Sequence, residues 1–236
     1  MQIYTGTSGY SYKEWKGPFY PEKLSNSKML SYYAEHLRTV EINNTFYRMP
    51  KASVVANWAT QVPDGFVFVI KAPRRITHHS KLEDTEEPLG YLWTAVQELG
   101  PHLGPILFQL PPYFRIDLPR LQRFLSSLPD GLRAVFEFRH QTWRDDDVHA
   151  ALRASNVALC TADVDGEEGT EIISTADWGY LRLRRTQYDD GGLEHWADRV
   201  RAQGWRQAFV FFKHEDEGCA PRLASQFAAL FADSDQ

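Results

Sequence analysis

Short apolar, β-rich runs recur along the chain at Ile3–Thr7, Thr39–Asn43, Phe66–Lys71, Ile106–Leu110, Ala134–Phe138, Ala158–Thr161, Tyr180–Leu183 and Phe209–Lys213. Most stay apolar until their last residues, as strands buried on both faces of a parallel sheet do. The segments between them switch to helical spacing. In Ser25–Leu37 the apolar positions are Met29, Leu30, Tyr33, Ala34 and Leu37. Further helices are predicted over Ser53–Thr60, Leu89–Leu99, Leu118–Leu128, Asp146–Ala154, Leu193–Ala202 and Pro221–Phe231. Asp117 is an N-cap for Leu118–Leu128, with Pro119 in its first turn. The acidic run Asp145-Asp146-Asp147 reads as a helix N-terminus, where the macrodipole favours negative charge. Between Asp163 and Asp177 the pattern predicts a loop with at most a short helix. Strand–helix alternation implies an α/β fold. Eight such units without a long linker favour a closed (β/α)8 TIM-type barrel of parallel strands. Residues 1–236 are expected to form one domain, close to the ordinary barrel size of roughly 250 residues.

The segments after the first and third strands, Ser8–Asn26 and Ala72–Pro88, are much longer than the usual two to six or so residues of βα loops. Long loops on the C-terminal rim of a barrel commonly cover or build a ligand site. The first concentrates Tyr10, Tyr12, Trp15, Phe19 and Tyr20. Two readings are open: a lid packing its own small core, or a stacking surface in which Tyr10 and Trp15 touch a substrate.

Composition narrows the class. Hydrophobic residues make up 43% and aromatics 14% of the chain, enough for one sizeable core. The formal net charge of −5 argues against bulk coating by nucleic acid or anionic lipid, while leaving room for a local basic patch. The opening residues Met1-Gln2-Ile3-Tyr4 show no basic and apolar leader, and no apolar run approaches the ~20 residues of a spanning helix. Cys160 and Cys219 read as reduced thiols. A cytoplasmic protein without a membrane segment or an obligate protein partner is the expectation.

Candidate chemistry collects at the strand ends. The second strand brings Glu41, Asn43 and Thr45, which alternation would put on one face about 6.5 Å apart in succession. The third ends in Lys71, ahead of His78 and His79 on its loop; the fourth ends in Gln109. The fifth gives Glu137 and Arg139, the sixth Thr161 and Asp163, the seventh Arg182 and Arg184, the eighth Lys213 and His214. For any one pair, a mutually satisfied network such as Glu41–Lys71 is the plain reading, because an unpaired charge inside a barrel is costly. A purely structural network has no reason to gather at one end of seven strands, whereas an active site does. Small residues in Gly6-Thr7-Ser8-Gly9 would let a ligand approach the first strand's backbone. Cations outnumber acids, and Arg182 and Arg184 on one face repel unless an anion lies between them, which suggests a phosphate or carboxylate ligand. Glu41, Glu137, Asp163 and His214 are donors that barrel metalloenzymes also use. No HxH or HExxH spacing accompanies them, so a divalent metal is left open without support from ligand spacing, and no cofactor is named.

Several of these stretches together resemble the YecE-like family, a domain of unknown function (number 72). The resemblance rests on Gly6-Thr7-Ser8-Gly9-Tyr10-Ser11-Tyr12 with Trp15, Glu41-Ile42-Asn43-Asn44-Thr45-Phe46-Tyr47, Lys71-Ala72-Pro73, Ile76-Thr77-His78, Phe108-Gln109-Leu110-Pro111-Pro112 and Glu137-Phe138-Arg139-His140. It implies a TIM-type barrel and supplies no reaction. Where many members look to carry Arg-x-His-Gly and Asn-Asn, this chain has Arg182-Leu183-Arg184-Arg185 and Lys213-His214, so no role for that His or Asn pair carries over.

The expected function is a hydrolase acting on a phosphate-bearing or otherwise anionic substrate. Arg182, Arg184 and Lys213 would hold the anion, and Lys71 or Arg139 would stabilise developing charge. Glu41 or Glu137 would be the general base and His214 an acid, with Asn43, Gln109 and Asp163 as further contacts. The competing expectation is a non-catalytic barrel that binds a nucleotide or single-stranded nucleic acid on its aromatic first loop.

Overall fold

The computed structural model describes residues 1–167, 169–213 and 218–232. Eight strands, β1 (Gln2–Ser8), β2 (Thr39–Ile42), β3 (Val67–Lys71), β4 (Leu103–Gln109), β5 (Ala134–Glu137), β6 (Ala158–Asp163), β7 (Trp178–Leu183) and β8 (Gln207–Phe212), pair in chain order into a closed barrel. Every pairing is parallel, including β8 with β1, where Gln2 sits opposite Gln207. Around it lie α1 (Met29–His36), α2 (Ala52–Ala59), α3 (Glu86–Val96), α4 (Leu118–Ser126), α5 (Asp146–Ala154), α6 (Asp190–Arg201) and α7 (Cys219–Ala229). All eight expected strands and seven helices form. Between β6 and β7 no helix occurs among the described residues. There Thr175 takes the place of a helix: its hydroxyl donates to the Val157 carbonyl and accepts from the Leu159 amide, at 2.7 and 2.8 Å.

Helix starts follow their caps. The Asp117 carboxylate accepts the Arg120 amide at 3.1 Å and Asp145 accepts that of Asp147 at 2.9 Å, opening α4 and α5 where the sequence placed them. Helix α6 begins three residues before Leu193 because Asp189 caps it through the Gly192 amide at 2.7 Å.

One apolar layer fills the space between barrel and helices, and a second fills the barrel itself, with Val69, Leu107, Val135, Cys160, Tyr180 and Phe211 among its members. At the N-terminal end Arg133 closes this inner layer, its guanidinium 4.4 Å from the Trp178 ring and hydrogen-bonded to Gln207 at 2.9 Å. Two residues further along each strand, the same inward parity delivers Lys71, Gln109, Glu137, Ala162, Arg182 and Lys213 to the C-terminal end. Glu41 joins them, since its neighbours Val40 and Ile42 pack in the outer layer.

Candidate functional site

A buried three-strand brace is the centre of the mouth. Arg182 on β7, 3% exposed, donates through Nη1 to Glu137 on β5 at 2.6 Å and through Nη2 to Glu41 on β2 at 2.8 Å. Glu41 also accepts the Tyr180 hydroxyl at 2.5 Å and the Asn43 amide at 2.9 Å. Burial alone would raise the pKa of both carboxyls. The charge of Arg182 is the largest opposing effect on each. The Tyr180 and Asn43 hydrogen bonds add to it at Glu41, and the Arg182 hydrogen bond, the Arg184 charge and the Gln109 hydrogen bond add to it at Glu137. Together they more than reverse burial, holding Glu41 below its usual range and Glu137 down to about 2. Burial would likewise weaken Arg182, but the two carboxylates hold its pKa well above the ordinary value. Both acids are therefore firmly ionised counterions of one guanidinium. Beneath them burial raises the Tyr180 hydroxyl and the Cys160 thiol well above their usual pKa values, so both stay protonated.

Above this brace the cations are less well matched. Lys71 donates to Gln109 at 2.9 Å and lies 4.4 Å from the Phe46 ring. Its pKa falls to about 8, first from burial, then from Arg182, with Glu41 and Glu137 offsetting part of the loss. Arg184 reaches Glu137 only at 4.0 Å and Arg139 only at 3.9 Å, beyond hydrogen-bond contact. Burial and then Arg182 lower the Arg184 pKa. Three buried polar atoms here, Ser8 Oγ, Arg182 Nε and Arg184 Nε, have no hydrogen-bond partner among the described residues. Such groups are open to a ligand or a water, which would offset their desolvation cost. His78 completes the rim on a π-helical turn, Arg75–His79. Its Nδ1 bonds the Thr77 hydroxyl at 2.9 Å and its ring stands edge-on to Phe46 at 4.8 Å. Burial, followed by Lys71 and Arg139, lowers its pKa to about 4, so the imidazole is neutral at neutral pH.

Several expectations are corrected by this geometry. The carboxylate between Arg182 and Arg184 is the protein's own Glu137, and Glu41 pairs with Arg182 where Lys71 was anticipated. Asp163 leaves the mouth: it faces α6 and takes hydrogen bonds from Arg185, Tyr188 and Trp196, while Cys160 and Ala162 of the same strand face inward. Strand β2 ends at Ile42, so Thr45 sits on a 3-10 turn and ties β2 to β3 by bonding the Ile42 and Lys71 carbonyls. Trp15 is 1% exposed inside the first loop, against Tyr12 and Tyr20, and Tyr10 packs near Tyr33 of α1. The loop packs its aromatics into the layer between barrel and helices and does not present Trp15 to a ligand. A Cβ on Gly6 would meet the Thr39 carbonyl oxygen at 2.0 Å, so its smallness serves strand packing and not ligand approach. Asn43, Gln109, Arg139 and Lys213 stay with the mouth, and His214 lies outside the described residues. From sequence, Tyr180 had no role, Ser8 was singled out only for its small size, and His78 only for its place on the loop after β3. A strand-parity signal two residues before Arg182 could have found Tyr180.

Among the described residues no three His, Cys, Asp or Glu side chains form a metal cluster, and no helix is long and apolar enough to cross a membrane. The model of the family described as "Protein of unknown function DUF72" matches residues 4–236. The UPF0759 protein YecE of Escherichia coli K12 is 34% identical over 139 residues, covering 58% of this chain and 48% of that protein. The UPF0759 protein YunF of Bacillus subtilis 168 is 27% identical over 149 residues, covering 60% and 52%. These matches thus span about half the length of each curated relative. A crystal structure of a DUF72 family protein from Thermotoga maritima MSB8 superposes with a TM-score of 0.85 at 26% identity, covering 99% of this chain and 100% of that one.

Proposed function

The chain belongs to the DUF72 family of proteins of unknown function, and from that premise we propose that its barrel mouth is a hydrolase site for a phosphate-bearing or similarly anionic substrate. The observation that carries this reading is the set of incompletely matched donors around Lys71 and Arg184, with Ser8 Oγ and Arg184 Nε buried and without a partner among the described residues. An anion seated there would relieve cation–cation crowding and satisfy both groups. Arg182 with Glu41 and Glu137 serves as the rigid floor, and Arg139 and Lys213 gather charge at the rim. Lys71 would stabilise the charge that develops on the reacting group.

The low pKa of Glu137 argues against a carboxylate as the base in this reading. A group with a pKa near 2, such as Glu137, is a weak acceptor at neutral pH. With a pKa of about 4, His78 is also a weak base at neutral pH. Its neutral ring, beside Lys71 and Arg139 and with Nδ1 bonded to Thr77, would act by orienting a water through Nε2. The test is a turnover screen over phosphomonoesters, phosphodiesters and sugar phosphates. Lys71→Met and His78→Ala are each expected to lower kcat by about 100-fold or more with the fold intact by circular dichroism. Anion binding without turnover of any substrate would replace the hydrolase with a non-catalytic binding barrel.

A further inference from the structure

Beside the mouth, with Phe46 as a shared residue, lies a concavity. It has a volume of about 540 Å³ and is lined by the apolar Phe46, Tyr47, Met49, Pro73, Pro88 and Tyr91 together with Arg74, Arg75, His79 and Glu87. We infer that this cleft is the subsite for an aromatic ring carried by the same anionic substrate, a deepening that rests on the anion reading above.

Four observations converge on it. The volume is in the range of small-molecule pockets, roughly 300–1,000 Å³. Two of its walls, Tyr47 at 71% and Tyr91 at 54% exposure, are among the few large apolar side chains left in solvent, so a ring laid against them removes apolar surface from water. Tyr47 and Phe46 already stand edge to face, 5.1 Å apart at 89°, which presents one ring edge and one ring face to an incoming aromatic. The Phe46 ring is a shared wall: Lys71 Nζ lies 4.4 Å from its centroid, while the ring also lines the cleft. A ligand whose ring occupies the cleft would direct an attached anion toward Lys71, the cation that shares the Phe46 ring with it. Cationic Arg74 and Arg75 in the lining complement the same charge. Arg75 is partly engaged by Glu87 at 2.7 Å, an exposed pair that yields readily to a ligand. The first loop offers no comparable surface, because its Trp15 and Tyr20 are buried.

Isothermal titration of the intact chain with inorganic phosphate, methyl phosphate, cyclohexyl phosphate and phenyl phosphate separates the claims. Phenyl phosphate is expected to bind at least about fivefold more tightly than methyl phosphate, the scale of one aromatic pair, and more tightly than cyclohexyl phosphate. Tyr91→Ala and Tyr47→Ala, both exposed and not part of the mouth, should each erase most of that preference while leaving inorganic phosphate binding unchanged. Equal affinity for phenyl and methyl phosphate overturns the aromatic subsite and leaves the anion reading standing. Equal phenyl and cyclohexyl affinity, or a phenyl preference untouched by both tyrosine variants, overturns it as well. Failure of all four compounds to bind, in a chain still folded by circular dichroism, removes the anion reading and this inference with it.

Discussion

Replacing Arg182 with methionine tests the brace most directly. In the native chain its guanidinium is the sole hydrogen-bonded cation of Glu41 and Glu137 among the described residues, and all three side chains are at most 4% exposed. Bringing the Glu137 pKa from the usual 4.5 to about 2 corresponds to about 3 kcal/mol of stabilisation of the ionised form. Breaking a buried pair by removing one partner costs about 3–5 kcal/mol, because an uncompensated charge is left behind. That is a large share of the roughly 5–15 kcal/mol that holds a domain folded. The sign of the pH dependence is the sharper test. In the native chain these carboxyls have lowered folded pKa values, so their stabilisation is present above the unfolded value and is lost as pH falls from about 4.5 toward about 2. In Arg182→Met, burial is opposed only by the smaller effects of Lys71, Arg184 and the hydrogen bonds from Tyr180, Asn43 and Gln109. The folded pKa values are expected to rise above the unfolded ones. The variant then gains relative stability on acidification, by up to about 1.4 kcal/mol per pH unit for each carboxyl. Urea unfolding of both chains between pH 7 and 5 measures this. A stability difference below about 1 kcal/mol, or one that does not shrink as pH falls, would refute the reasoning.

Two further outcomes follow from the same structure. Sulfate, whose charge is constant over the range, should bind with steady affinity up to neutral pH and more weakly as pH rises through about 8, where Lys71 loses its proton; in Lys71→Met that pH dependence should vanish in the same titration. Gly179→Ala should cost about 1–3 kcal/mol in urea unfolding, since its Cβ would lie 2.1 Å from the buried Trp205 ring.

The strands were legible because apolar runs such as Ala134–Phe138 and Phe209–Lys213 are buried on both faces, so their composition alone announces them. The same property hid the parity of β6. In Ala158-Leu159-Cys160-Thr161-Ala162 neither face is polar enough to say which points inward, and Asp163 was assigned to the mouth when it faces α6. Caps were readable at Asp117 and Asp145, which act within three residues of themselves. The brace was not, because Glu41 and Arg182 are 141 positions apart and only closure of the barrel sets them opposite each other. His78 was missed for a local reason: a π-helical turn, which has no distinctive spacing, swings it beside Lys71.

That 141-residue separation also bears on how the chain reaches its native state. Contacts of long sequence separation yield no stabilisation until the intervening chain is ordered, which slows folding and leaves partly formed barrels exposed to misassembly. Before β7 joins, Glu41 can stay ionised only in a wet interior, so a dry, compact half-barrel is penalised by its own carboxylate. The brace is thus satisfied only in the ring in which β2, β5 and β7 meet, so it stabilises the closed barrel and not its partly formed precursors.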